Sequence, residues 1–328
     1  MNELQKNNEI LNNPDLLKLI INEIHKKAVG EDVSIKTILI HSCGMFVNNA
    51  NLSSYNLIIN SNSGAGKSFV TERTIAIFPK SKVEYKTQIS EKAFVYWHNH
   101  KAEPNWTWDG KICFLEDISE KIVNCETFKI MCSEGSSATI VIDHKAQEIL
   151  IKGKPVLILT IANLNLIDEN LRRMTIVNMD ESENQTWKIL ERQAELAMAG
   201  KSEEYDNNVI EALGLLERVN VIIPFADYLK EIFPSALIAR TYFGRVLDLI
   251  KASAALHQNQ RNWIDDNTIE AIWQDYENIR EVVNATISNM KLISLTKKQK
   301  EVIEVCKNIG IGTYNSIKEL IQKNPALM

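Results

Sequence analysis

Leu57-Ile58-Ile59-Asn60-Ser61-Asn62-Ser63-Gly64-Ala65-Gly66-Lys67-Ser68-Phe69 is the stretch that decides the fold. An apolar run enters a glycine-containing loop, and a helix-like run leaves it, from Phe69 to Phe78, stopping at Pro79. Strand, loop, then helix is the context of a phosphate-binding loop. Successive backbone N–H groups form an anion nest there, and the helix N-terminus adds a positive dipole end. Lys67 has the reach to meet β- and γ-phosphates, and the Ser68 hydroxyl can ligate Mg²⁺. Gly64 and Gly66 allow backbone angles and a close approach that a Cβ would forbid. Ser63, Ala65 and Phe69 complete the expected nucleotide contacts. Ser61 stands where such loops usually begin with glycine, and fits if the turn keeps φ negative.

The rest of the composition sets bounds. With 328 residues there is room for one large or two smaller domains. Hydrophobic residues make up 45% and charged ones 24%, as in ordinary globular proteins. No apolar run is long enough to span a bilayer. The N-terminus has no signal-peptide pattern, so a cytoplasmic location is expected. Cys43, Cys113, Cys125, Cys132 and Cys306 form no C-x-x-C pair and read as reduced structural thiols. His98 and His100, two apart, read as loop surface rather than a zinc site. A net charge of −5 excludes a surface that is basic throughout, so any nucleic-acid contact must be concentrated in a groove or channel.

Four segments are expected. Residues 1–50 begin polar and frayed, then give a helix opened by Asn13-Pro14 and a second helix from Ile35 to Val47, packing on the core. Residues 51–185 alternate short apolar runs with helical stretches, the pattern of an α/β domain with a parallel sheet. The runs are Leu57–Ile59, Val83–Tyr85, Ile112–Leu115, Thr139–Ile142, Val156–Ile161 and Thr175–Val177. Residues 186–295 read as an all-α lid, with helices at Trp187–Ala199, Ser202–Val219, Phe225–Phe233, Ala236–His257 and Thr268–Leu295. Residues 296–328 read as the start of a helix-turn-helix.

Hydrolysis needs acids at a second strand end. Ile112-Cys113-Phe114-Leu115-Glu116-Asp117 supplies them, with Glu116 expected in the Mg²⁺ shell and Asp117 at the attacking water. The run Val156–Ile161 leads to Asn163, the candidate sensor of the γ-phosphate, with Asn165 as fallback. Arg173, or Arg172 beside it, is the candidate finger that stabilises charge on the γ-phosphoryl group, supplied to a neighbouring subunit. Between acids and sensor, residues 138–153 read as two β-like runs around a polar turn. His144 and Lys145 sit near the tip of that hairpin, where a ring of subunits would project them onto a phosphate backbone.

These residues together resemble an AAA+ ATPase. The hairpin before Leu159-Thr160-Ile161-Ala162-Asn163 is similar to that of the pre-sensor-1 group, which includes minichromosome-maintenance (MCM) helicases. Asn178–Thr186 and Leu249–Gln258 resemble MCM-like helicases of mobile elements and prophages. The resemblance spans about residues 35 to 295. It implies an ATP-driven, hexameric DNA translocase or helicase acting in DNA replication on single-stranded or forked DNA. It also implies a second sensor arginine in the lid, Arg240 or Arg245. The departures are Ser61, the Glu116-Asp117 order and no segment for the N-terminal collar of full-length MCM proteins. The alternative reading is a nucleotide switch, a helicase loader or a replication or transposition regulator, without unwinding.

Overall fold

The computed structural model describes residues 3–293 except 63, 92, 96, 98–102, 104, 133–136, 143–144, 162–173, 201–203 and 233–238. Packing divides the chain after Val283, and the architecture below belongs to the unit that ends there. In chain order the strands are β1 (Leu57–Asn60), β2 (Val83–Lys86), β3 (Ile112–Leu115), β4 (Ser137–Ile142), β5 (Lys145–Leu150), β6 (Val156–Ile161), β7 (Thr175–Asn178), β8 (Asn220–Ile222), β9 (Trp263–Asp265) and β10 (Thr268–Glu270).

A five-stranded parallel sheet in the order β2-β3-β6-β1-β7 carries the site. Every residue of β3 and of β6 is buried, as are Leu57, Ile58 and Ile59 of β1. Strands covered on both faces read as nearly continuous apolar runs, broken here only by Thr160 within β6, which is why they stood out in the sequence. The helix Asp32–Cys43 is buried over nearly its whole circumference. Two of its buried hydroxyls turn back on their own helix: Thr37 Oγ1 donates to the Val33 carbonyl at 2.7 Å, and Ser42 Oγ to the Ile38 carbonyl at 2.7 Å. At its end Gly44 lies under the Tyr55 ring, where an added Cβ would come within 2.3 Å. The Tyr55 hydroxyl donates to the Asp248 carbonyl at 2.7 Å, tying the start of β1 to the helix Ala239–Leu256.

The expected hairpin in residues 138–153 is formed by β4 and β5, antiparallel in register from Ser137↔Leu150 to Ile142↔Lys145. The expectation of an all-helical segment over 186–295 is corrected. Helices do occupy Glu183–Ala199, Asn207–Gly214, Ala226–Ile232, Ala239–Leu256 and Trp273–Ile293. Between them, however, β8, β10 and β9 form a three-stranded sheet, and the last helix starts at Trp273 rather than Thr268. Each of these strands is three residues long, too short for an alternating pattern to stand out. The hairpin of β9 and β10 is closed by an Asx turn, the Asn267 N–H donating to Asp265 Oδ1 at 2.8 Å. This small sheet is joined to the first part of the chain through a parallel bridge between Val47 and Val219.

The N-terminus also differs from the expectation. Residues expected to fray form the helix Glu3–Leu11, which packs on the helix Asn207–Gly214 with Leu11 buried. The helix-turn-helix expected over 296–328 lies outside the described residues. No helix among the described residues is long and apolar enough to cross a membrane.

Candidate nucleotide-binding site

The loop leaves β1 at Asn60 and enters the helix Lys67–Ile75. Gly64 and Gly66 hold φ of 87° and 81°, the left-handed region, with nothing within 4 Å of either missing Cβ. Ser63, between β1 and these glycines, lies outside the described residues. Ser61 is not among the described non-glycine residues with positive φ, so serine is accommodated as the turn required.

Lys67 is 6% exposed, with its ammonium drawn across the loop. Nζ donates to the carbonyls of Ser61 at 2.9 Å and Asn62 at 3.0 Å. An ammonium has three donors, and these two bonds aim it without using it up. Ser68 Oγ is 3.5 Å from Thr160 Oγ1 of β6. Thr160 Oγ1 in turn accepts the Asp117 N–H at 2.8 Å. The fully buried Thr160 therefore stands between the loop and the acidic strand end.

Glu116 and Asp117 directly follow β3. Asp117 adopts φ 44°, a left-handed conformation that aspartate tolerates better than most residues. The Glu116 carboxylate accepts the Tyr85 hydroxyl, and that bond pushes Tyr85 up to about 12. Tyr85 also stacks on Phe114, with ring centroids 5.0 Å apart.

The loop's entrance is held by a residue that the sequence reading did not assign, Glu181. Its carboxylate accepts the Ser61 hydroxyl, the Asn62 N–H at 2.9 Å and Asn62 Nδ2 at 2.7 Å. The Ser61 hydroxyl first, then the Asn62 N–H, hold this carboxyl below the usual range. Beside the glycines opens a cavity of about 560 Å³, the size of a small-molecule site. Val29, Phe69, Gln185, Ile189 and Leu196 are among its lining. Phe69 is half exposed, its ring 5.0 Å from the Arg73 guanidinium.

Two of the missed residues left a trace in the sequence. Thr160 is the single polar residue in Val156–Ile161, and Glu181 falls within the stretch Asn178–Thr186. Asn163, Asn165, Arg172, Arg173 and His144 lie outside the described residues, as do His98 and His100. Lys145 opens β5, opposite Ile142. Arg240 is exposed near the start of its helix. Arg245 is 7% exposed and donates to the Met174 carbonyl at 3.3 Å, and burial lowers its pKa.

A parallel sheet with a glycine-turned loop after its first strand, a lysine folded over that loop and carboxylates at a nearby strand end define a P-loop NTPase domain. The chain belongs to the MTBMA_p00010 P-loop domain family, whose model matches residues 2–216, more than half of its length. No curated protein matches it.

Proposed function

We propose that this chain is an AAA+ ATPase of the pre-sensor-1 hairpin group, an MCM-like, ring-forming DNA translocase or helicase acting in replication. The observation that carries the reading is the strand order. β6 lies between β1 and β3, so its C-terminal end stands between the phosphate loop and the acidic pair. The hairpin β4–β5 comes just before β6 in the chain. A strand end that meets the γ-phosphate and a hairpin that meets DNA are thus one continuous segment.

The open turn at Gly64 and Gly66, the Lys67 ammonium and the Ser68 hydroxyl fit a triphosphate with Mg²⁺. Ser68 and Glu116 would hold the metal, which would supply charge neutralisation on the bound phosphates. The cavity beside Val29 and Ile189 has the size and apolar lining for the base. Asp117 takes the proton of the attacking water. The new P–O bond forms as the bond to the ADP oxygen breaks. Asn163 orients the γ-phosphoryl group, and Arg172 or Arg173 of one subunit completes the site of the next, as heterologous ring contacts allow. Arg240 serves as the second sensor. His144 and Lys145 grip the DNA backbone in the ring's channel, a local positive site on a chain of net charge −5.

Hydrolysis stimulated by DNA and lost by at least about a hundredfold in Lys67→Ala is the expected result, with strand displacement on a forked duplex. Stimulation without displacement turns the reading to a nucleotide switch. Unchanged DNA binding and unwinding in Lys145→Ala removes the channel role of the hairpin.

A further inference from the structure

The peptide unit between Ser61 and Asn62 is gripped from both sides. Its N–H donates to Glu181 Oε1 at 2.9 Å, and its carbonyl accepts from Lys67 Nζ at 2.9 Å. In a trans peptide these groups point in opposite directions. A carboxylate and an ammonium therefore hold the two poles of one amide dipole. Glu181 also takes the Ser61 hydroxyl and Asn62 Nδ2, so three donors from two successive residues converge on one carboxylate.

The backbone that carries Glu181 is itself anchored. The Asp180 N–H donates to Glu31 Oε1 at 3.0 Å, and the buried Glu31 also accepts the Ser34 hydroxyl at 2.9 Å. Ser182 caps the helix Glu183–Ala199 by accepting the Gln185 N–H, and Gln185 Nε2 donates to the Val29 carbonyl at 2.9 Å. The carboxylate reaches the loop from a fixed platform.

We propose that Glu181 is a positioning residue of the phosphate loop: it fixes the Ser61–Asn62 peptide so that the Ser61 carbonyl aims the Lys67 ammonium at the bound phosphates. The inference rests on the nucleotide-binding reading above. It also accounts for serine in place of glycine at the loop's start, since the Ser61 hydroxyl is one of the three donors. The second brace of Lys67, the Asn62 carbonyl, belongs to the next peptide, so releasing Glu181 loosens both. Because Lys67 meets phosphates in the ground state as well as the transition state, the loss falls on binding more than on turnover.

The full chain with Glu181→Ala, Glu181→Gln and Ser61→Gly tests this. MgADP binding is read by calorimetry, ATP hydrolysis by kcat and KM, and the Asn62 amide and Lys67 ammonium by NMR. Glu181→Ala should weaken MgADP binding and raise KM about tenfold, the effect of losing a charge-assisted hydrogen bond. It should leave kcat within about twofold, since the interaction lost is one of binding. Glu181→Gln, which keeps an accepting oxygen, should fall between. Adding Ser61→Gly to Glu181→Ala should cost nothing more, because the bond from the Ser61 hydroxyl is already lost with the carboxylate. Unchanged affinity in Glu181→Ala overturns the proposal, and so does a lowered melting temperature with affinity intact. A native chain that binds no MgADP refutes the nucleotide reading instead. The NMR arm then still decides the link, which fails if the Lys67 signal is the same in Glu181→Ala.

Discussion

The phosphate loop and the cluster around Asp275 are both polar, and they are built in opposite ways. The Arg261 and Asp275 side chains are 3% and 0% exposed and meet in two bonds, Nε to Oδ2 at 2.9 Å and Nη2 to Oδ1 at 2.6 Å. The Ser253 hydroxyl and the Ile272 N–H fill the remaining lone pairs of the carboxylate, at 2.9 and 3.0 Å. Nothing is left over for a ligand. In the loop, both glycine turns face open space and the lysine is braced only by carbonyls. A satisfied network organises the fold, whereas an open one is organised for something that binds.

The contrast can be broken at its closed end. Arg261→Ala leaves a buried carboxylate without its cation, and should cost about 3–5 kcal/mol of unfolding free energy. Denaturant titration should show this beside a Lys67→Ala chain of near-native stability. If the two variants lose equal stability, the loop is as architectural as the network and the distinction fails.

A pH titration sharpens it. Burial, with Arg245 nearby, holds the His41 imidazole down at about 4, while its Nδ1 meets the Thr37 carbonyl at 2.8 Å. The unfolded imidazole titrates at about 6.5, so the unfolded chain binds more protons between the two values. Stability from this group is whole above about pH 6.5 and falls as pH drops, by about 3 kcal/mol near pH 4. His257 is lowered in the same direction by burial. Urea unfolding at stepped pH should show a shallower acid slope in His41→Leu. The same slope in both chains would remove His41 from the account.

The smallest effect is expected at the edge of the open site. Tyr85→Phe removes the hydroxyl that competes for Glu116. Stability should stay within about 1 kcal/mol, as for an exposed hydrogen bond. The Mg²⁺ concentration for half-maximal hydrolysis should fall a few-fold. A metal dependence that does not move would mean that Glu116 does not serve the metal.

The inner strands of the core sheet were legible because they are buried and almost wholly apolar, and the edge strand β2 showed only as a short run around Val83 and Tyr85. Leu57–Ile59, Val83–Tyr85, Ile112–Leu115, Val156–Ile161 and Thr175–Val177 all became strands of that sheet. The glycine turn was legible because few residue types tolerate its angles. The small sheet was not, since Asn220–Ile222 and Thr268–Glu270 pair in parallel across a long separation and neither run is long enough to show a period. Nor was the Glu181 brace, because its donors at Ser61 and Asn62 lie about 120 residues away and local spacing carries no trace of them.

The bridge at Val47 has a consequence for where this protein can be cut. The family match stops at 216, yet the Asn48 N–H donates to the Val219 carbonyl at 2.8 Å and Asn49 Oδ1 accepts the Val221 N–H at 2.9 Å. Tyr55 and Ser54, at the threshold of β1, both lean on Asp248. A fragment trimmed to the matched stretch would lose those crossings and bare the side of the Asp32–Cys43 helix that Ala239–Leu256 covers. The stretch shared with the family thus ends inside a packed unit rather than at its edge.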